Sequence, residues 1–297
     1  MKVHNYPCKL SSPTAVALGR FDGVHLAHKA VISAAVSEKS KGLVPAVFTF
    51  CDNPNKKASF LLATEEEKRQ LIKNCGTEIM INATFDSVCN LSAQEFVTLV
   101  LKDALGAKAV FCGYNYRFGK GASADAHTLQ TLCEKEGIEV TCVEEFVTED
   151  ITVSSTEIRS LLSAGDVTKA KRLLGRAYTL SGQVVHGNAI GRTIDTPTLN
   201  VAVSPEKLLP KFGVYACYAL IDGKAHKSVA NIGLKPTVGS ESPTVEAFLL
   251  DTQGDFYEKC VTLELVSFIR PEQKFDSLIQ LREAIDKDIE KAKEALK

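Results

Sequence analysis

The 297-residue sequence predicts an α/β fold built on a parallel, doubly wound sheet, followed by a small β-rich unit and a closing helix. Three observations carry this prediction. Up to about residue 175, short apolar runs alternate with amphipathic helical stretches, as when strands are buried on both faces by crossover helices. After about residue 178, short strands follow one another with tight turns, the grammar of an antiparallel sheet or barrel. A helix over roughly 276–296 then shows an apolar stripe, Phe275, Leu278, Leu281, Ile285 and Ile289, suited to capping a barrel or docking on it.

The elements follow in order. Apolar runs place strands at 15–18, 44–50, 78–82, 108–112 and 138–143. Helices fall between them, near 25–38, 64–74, 92–105 and 125–136. Two helix starts carry capping boxes, Thr64 with Glu67 and Ser92 with Glu95. In the second half, strands are expected at Gln183–His186, Val214–Ile221, Ala225–Ile232, Thr244–Leu250 and Cys260–Ile269. Asp222-Gly223 between two of them is a hairpin turn. The boundary falls at Leu174-Gly175-Arg176-Ala177-Tyr178, giving domains 1–174 and 175–297 without a long flexible linker.

Composition narrows the function classes. Hydrophobic residues make up 45% and charged residues 24%, as in soluble globular proteins. A formal net charge of −1 argues against an extended nucleic-acid surface. Nine cysteines without a Cys-x-x-Cys pair suggest reduced thiols in a cytoplasmic protein, not a disulfide framework or zinc site. No apolar run reaches membrane-spanning length, and the first residues lack a signal-peptide core. The expected partners are small-molecule substrates, with no nucleic acid and no membrane, for a monomer or weak homo-oligomer.

Residues 19–28, Gly-Arg-Phe-Asp-Gly-Val-His-Leu-Ala-His, are the most informative stretch. The run Ala15-Val16-Ala17-Leu18 feeds a turn in which Gly19 and Gly23 let the backbone turn sharply and approach a ligand. Backbone N–H groups at the following helix start favour anions. His25 and His28, three apart, share one helix face and could donate to phosphate oxygens. One packed and one solvated histidine would be the plain structural account. The loop Gly113-Tyr-Asn-Tyr-Arg-Phe-Gly-Lys-Gly121 has the wrong spacing for a Walker A motif, but brings Asn115 and Arg117 to a strand end. In Val153-Ser-Ser-Thr-Glu-Ile-Arg159, a cap and its box explain Ser154 and Glu157. They leave Ser155, Thr156 and Arg159, a cluster suited to a triphosphate.

The second half offers Gly182-Gln-Val-Val-His-Gly187, then Gly191-Arg192-Thr-Ile-Asp-Thr-Pro-Thr198-Leu-Asn200. Its glycines suit a loop lying close to phosphates. Thr198 and Asn200 share a face of an extended segment and offer hard oxygen ligands for Mg²⁺, or they merely shape a turn. Glu246 interrupts the apolar strand Thr244–Leu250. A carboxylate there is costly unless it is paired, functional or turned to solvent.

Together these segments resemble the bacterial bifunctional riboflavin kinase/FAD synthetases. Residues 19–28 are similar to that family's G-x-F-D-G-V-H-x-G-H motif, and Gly113–Gly121 and Ser154–Arg159 to its later nucleotide motifs. Residues 182–187 and 191–200, with Glu246, resemble its kinase motifs. This chain has Arg20, Ala27, Asp195 and Phe248 where the family usually has Asn, Gly, Gly and His, and Thr49–Pro54 lacks a family histidine. The resemblance implies a Rossmann-like nucleotidylyltransferase domain followed by a six-stranded barrel. It implies phosphorylation of riboflavin to FMN by ATP with Mg²⁺, then adenylylation of FMN to FAD. His25 and His28 would be catalytic for the second step, with Gly19, Phe21, Asp22, Asn115, Arg117, Ser155, Thr156 and Arg159 binding nucleotide. Glu246 would be the kinase base, Gly187, Gly191 and Arg192 would bind nucleotide, and Thr198 and Asn200 would hold Mg²⁺ and phosphate. The alternatives are a kinase with a degenerate first domain and a flavin- or nucleotide-binding regulatory module. An aminoacyl-tRNA synthetase fragment ranks low, because no Lys-Met-Ser-Lys-Ser-like loop is present.

Overall fold

Apolar residues that alternate between two faces build the first half. A computed structural model describes residues 1–51, 60–186, 198–237, 240–252 and 254–297. It divides into two units, Met1–Ser155 and Thr156–Lys297.

The first unit runs β1 (Lys2–Asn5), β2 (Thr14–Leu18), α1 (Leu26–Ser37), β3 (Val44–Phe50), α2 (Glu65–Asn74) and β4 (Ile79–Ala83). Helix α3 starts at Ala93–Glu95 and continues as a π-helix over Phe96–Ala104. It is followed by β5 (Ala107–Gly113), the short strands β6 (Arg117–Phe118) and β7 (Ala124–Asp125), α4 (Ala126–Lys135) and β8 (Glu139–Val143). A two-stranded ribbon, β9 (Val147–Thr148) with β10 (Ile151–Thr152), closes the unit.

Six strands form one parallel sheet in the order β1-β4-β3-β2-β5-β8. Ala15, Ala17, Val47, Met80, Ala109 and Phe111 face α1 and α2, through Val31, Ile32 and Ile72. Val16, Leu18, Phe48, Ile81, Val110 and Cys112 face α3 and α4, through Val97, Leu101 and Leu129. Both faces are therefore covered, as the continuous apolar runs require. The expected capping boxes at Thr64–Glu67 and Ser92–Glu95 form. From β2 the chain winds outward through β3 and β4, then returns to lay β5 on the other side of β2. Strand order thus reverses between β2 and β5, and ligands of such sheets bind beyond the carboxyl ends of strands at this point.

In the second unit, α5 (Ser155–Ala164) and α6 (Val167–Leu174) precede β11 (Tyr178–Val185), β12 (Thr198–Val203), β13 (Gly213–Ile221), β14 (Lys224–Thr237), β15 (Ser240–Leu249), β16 (Cys260–Pro271) and α7 (Leu278–Ala295). The six strands close an antiparallel barrel in the order β11-β12-β15-β14-β13-β16. Leu180, Val201, Ala219, Ala230, Ile232, Val245, Ala247 and Leu263 are buried in it. Helix α7 packs Ala292 and Leu296 on Ala216 of β13, with Tyr218 and Val229 beside them. Arg270 of β16 clamps the helix through Asp288, with Nε 3.0 Å from Oδ1 and Nη2 2.8 Å from Oδ2.

Two strands differ from the sequence expectation, β1 and β12. The division into units falls at 155/156, so α5, but for its first residue, and α6 belong to the second unit. Val167, Ala170, Leu173 and Leu174 bury α6, Thr168 Oγ1 donates to Val266 O, and Lys211 N donates to Leu162 O. Strand β1 extends the sheet edge although Lys2-Val3-His4-Asn5 is largely exposed and lacks an apolar run. Strand β12 was expected only as an extended segment, because Val201 alone among its residues is buried.

Candidate active sites

The turn after β2 occupies the reversal point of the sheet, and its backbone is unusual. Phe21 and Val24 adopt positive φ of 51° and 39°, with Gly23 at 82° between them. Positive φ in a β-branched or bulky residue costs free energy and persists only where the surroundings enforce it. Those surroundings are visible. A Cβ at Gly19 would lie 2.9 Å from the Phe21 ring, which is buried and folded back beneath it. Asp22 Oδ1 accepts the Leu62 and Ala63 backbone N–H groups at 2.9 and 3.4 Å. Thr49 Oγ1 donates to Arg20 O, and Ser155 Oγ to Asp22 O, each at 3.0 Å. Phe21 and Asp22 thus hold the turn from within.

The turn delivers both histidines to the start of α1. His25 is the N-cap, buried to 4% exposure, and its Nδ1 accepts the His28 backbone N–H at 3.3 Å. An accepting Nδ1 leaves Nε2 to carry the proton of a neutral His25. The two imidazoles stack, with centroids 3.5 Å apart and planes at 16°, and Phe21 meets the His28 ring edge-on at 5.3 Å. His28 Nδ1 is buried and has no hydrogen-bond partner among the described residues. Desolvation and then the charge of His25 hold His28 well below the ordinary histidine range. At neutral pH, His28 therefore offers a donor or an acceptor, not a positive charge.

Loop Gly113–Gly121 leaves the neighbouring strand β5 at the same sheet end. Its last part enters the β6–β7 hairpin, Arg117 opposite Asp125. Asn115 and Arg117 are exposed, and the Arg117 guanidinium lies 3.9 Å from the Asp125 carboxylate. Ser155 is the last residue of the first unit, whereas Thr156 and Arg159 belong to the second, one turn into α5. The structure therefore brings His25, His28, Phe21, Asp22 and Ser155 together around one turn.

The second cluster lies on the outer face of the barrel. Register pairs Thr198 with Phe248 and Asn200 with Glu246. Val245 and Ala247 are buried, so Glu246 between them turns outward, which resolves its cost in an apolar strand. Thr198 Oγ1 donates to Glu246 Oε2 at 3.4 Å. A hydroxyl, a carboxamide and a carboxylate thus share one surface. At the end of β11, His186 stacks on Tyr257 at 3.8 Å. Gly187, Gly191 and Arg192 lie outside the described residues. The sequence reading missed Asn231, opposite Glu246 on β14. Only strand register reveals it.

A riboflavin kinase family model matches residues 174–296, and an FAD synthetase family model matches residues 8–157. A bifunctional riboflavin kinase/FMN adenylyltransferase from Bacillus subtilis (strain 168) is 35% identical over 94% of this chain and 91% of its own length. Its namesake from Escherichia coli (strain K12) is 33% identical over 96% and 94%. The chain belongs to the bifunctional riboflavin kinase/FMN adenylyltransferase family. The family match contains both clusters, His25–Ser155 in the first region and Thr198–Glu246 in the second. A crystal structure described as a macrolide-efflux protein from Streptococcus pneumoniae has the same fold, with a TM-score of 0.91, 29% identity and 99% coverage of both chains. Among the described residues, no helix of this family member is long and apolar enough to cross a membrane.

Proposed function

We propose that the chain makes FMN from riboflavin and ATP, then FAD from FMN and a second ATP. The observation that carries this reading is the union in one chain of a riboflavin kinase region and an FAD synthetase region, each containing its own polar cluster. The functional division we propose runs 1–174 for adenylyl transfer and 175–297 for the kinase.

In the kinase step, Glu246 takes the proton of the riboflavin 5′-hydroxyl as its oxygen attacks the ATP γ-phosphorus and ADP leaves. Thr198 and Asn200, hard oxygen donors beside that carboxylate, fit Mg²⁺ and would hold it. Bound Mg²⁺ supplies charge neutralisation on the phosphates. Gly187, Gly191 and Arg192 bind the nucleotide in this reading. In the adenylyl step, an FMN phosphate oxygen attacks the ATP α-phosphorus and pyrophosphate leaves. Positioning and charge stabilisation suffice, with no covalent intermediate. His25, His28, Asn115, Arg117, Ser155, Thr156 and Arg159 contact ATP. Gly19, Phe21 and Asp22 shape the turn that receives it. The nine cysteines without a Cys-x-x-Cys pair fit a cytoplasmic protein, and the net charge of −1 argues against an extended nucleic-acid surface; a monomer or weak homo-oligomer is the state we propose.

The test follows flavins by chromatography after incubation with riboflavin, ATP and Mg²⁺. Wild type forms FMN, then FAD. His28→Ala lowers FAD formation at least about a hundredfold while sparing FMN, the size expected for a lost transition-state contact. Glu246→Gln does the reverse, lowering FMN formation about a hundredfold or more and sparing FAD formation from added FMN. Loss of both activities in either folded variant breaks the two-site assignment.

A further inference from the structure

Three barrel strands run side by side at Glu246. Strand β12 sets Asn200 directly opposite it on one side, and β14 sets Asn231 directly opposite on the other. Ala230 and Ile232 are buried, as are Val245 and Ala247, so Asn231 and Glu246 emerge together on the outer face. Directly opposed residues hold their Cβ atoms about 4.5–5.5 Å apart, within reach of a carboxamide and a carboxylate. The row is bounded on one side by the apolar pair Val229 and Phe248. On the other, Gly233 stands opposite Thr244 and contributes no side chain. Asn231 is thus the polar side chain that β14 presents at Glu246.

The residue type matters. A glutamate has three rotatable bonds, and as a base it must face the hydroxyl it deprotonates. Thr198 Oγ1 approaches Oε2 from one side. A carboxamide on the other side offers N–H donors without cancelling the negative charge that makes the group a base. A lysine there would pair with that charge, and an apolar residue would leave the rotamer free.

We infer that Asn231 is a positioning residue of the kinase site, its amide donating to the Glu246 carboxylate and holding it toward the Thr198–Asn200 side. This rests on the proposed role of Glu246 as base. The deciding experiment measures steady-state riboflavin phosphorylation by the full chain carrying Asn231→Asp, Asn231→Ala or Asn231→Gln, beside Glu246→Gln. Asn231→Asp keeps the shape and removes the donor at an exposed position. We expect kcat to fall about tenfold to a hundredfold in the Asp and Ala variants, the value of one hydrogen bond to a charged group. The riboflavin KM stays unchanged, and Gln recovers part of the loss. Wild-type kcat in Asn231→Asp, or a raised KM with unchanged kcat, overturns the inference. If Glu246→Gln is inactive while Asn231→Asp matches wild type, only the inference fails. If Glu246→Gln retains turnover, the base assignment fails and the inference fails with it.

Discussion

Burial and the neighbouring His25 keep His28 neutral in the folded chain. The consequence for stability has a definite sign. In the unfolded chain, the imidazole titrates near its ordinary value of about 6.5. Between that value and the lower folded one, the unfolded state binds more protons, so stability falls as pH falls through this window and is level above it. Replacing His28 by Gln removes the linkage. Chemical denaturation from pH 7.5 down to 4.5 should show wild type losing stability faster than His28→Gln below pH 6.5, by up to about 1.4 kcal/mol per pH unit. Parallel slopes would mean that His28 titrates in the folded chain as it does in the unfolded one. The spacing of the two histidines was legible in the sequence because three residues apart on a helix means one shared face. The left-handed backbone at Phe21 and Val24 was not, since neither residue type favours it. It is imposed from a distance by Thr49, Leu62, Ala63 and Ser155.

Helix α7 illustrates how an element is held, and by what. The helix was readable from the sequence, but its contacts were not: Ala292 and Leu296, outside the expected stripe, pack on the barrel, and Arg270 and Asp288 are ordinary charged residues until the barrel brings them together. Asp288 is only 4% exposed in its side chain and Arg270 20%, so the pair is largely desolvated. Removing one partner of such a pair strands the other charge, at a cost of about 3–5 kcal/mol when burial is complete. The residual exposure of Arg270 puts Asp288→Ala near about 3 kcal/mol, measured by urea unfolding. A change below about 0.5 kcal/mol would show that solvent already screens the pair. The same contrast separates the elements that sequence revealed from those it hid. Strands β2, β3 and β5 announced themselves because both of their faces are apolar. Strand β12 did not, because it is short and Val201 alone among its residues is buried.

At the scale of the molecule, alternating strands and helices made the doubly wound sheet legible, and short strands with tight turns suggested a sheet or barrel without giving its closure. Barrel order depends on which strand edges pair, β12 with β15 and β11 with β16, and nothing local in the chain encodes those partners. Each unit has its own core, and the clusters carrying His25 with His28 and Glu246 with Thr198 lie in different units. In the proposed reaction sequence, FMN is the product of one and the substrate of the other. If the two clusters share nothing but that molecule, catalysis need not occur within one chain. Equimolar His28→Ala and Glu246→Gln chains, each unable to convert riboflavin to FAD, should together do so. The first would release FMN, and the second would adenylylate it. FAD should appear after a lag that shortens as total protein rises, because FMN released by one chain must build up in solution before the other can use it. A mixture that accumulates FMN without FAD would show that the adenylyl site draws FMN only from its own chain.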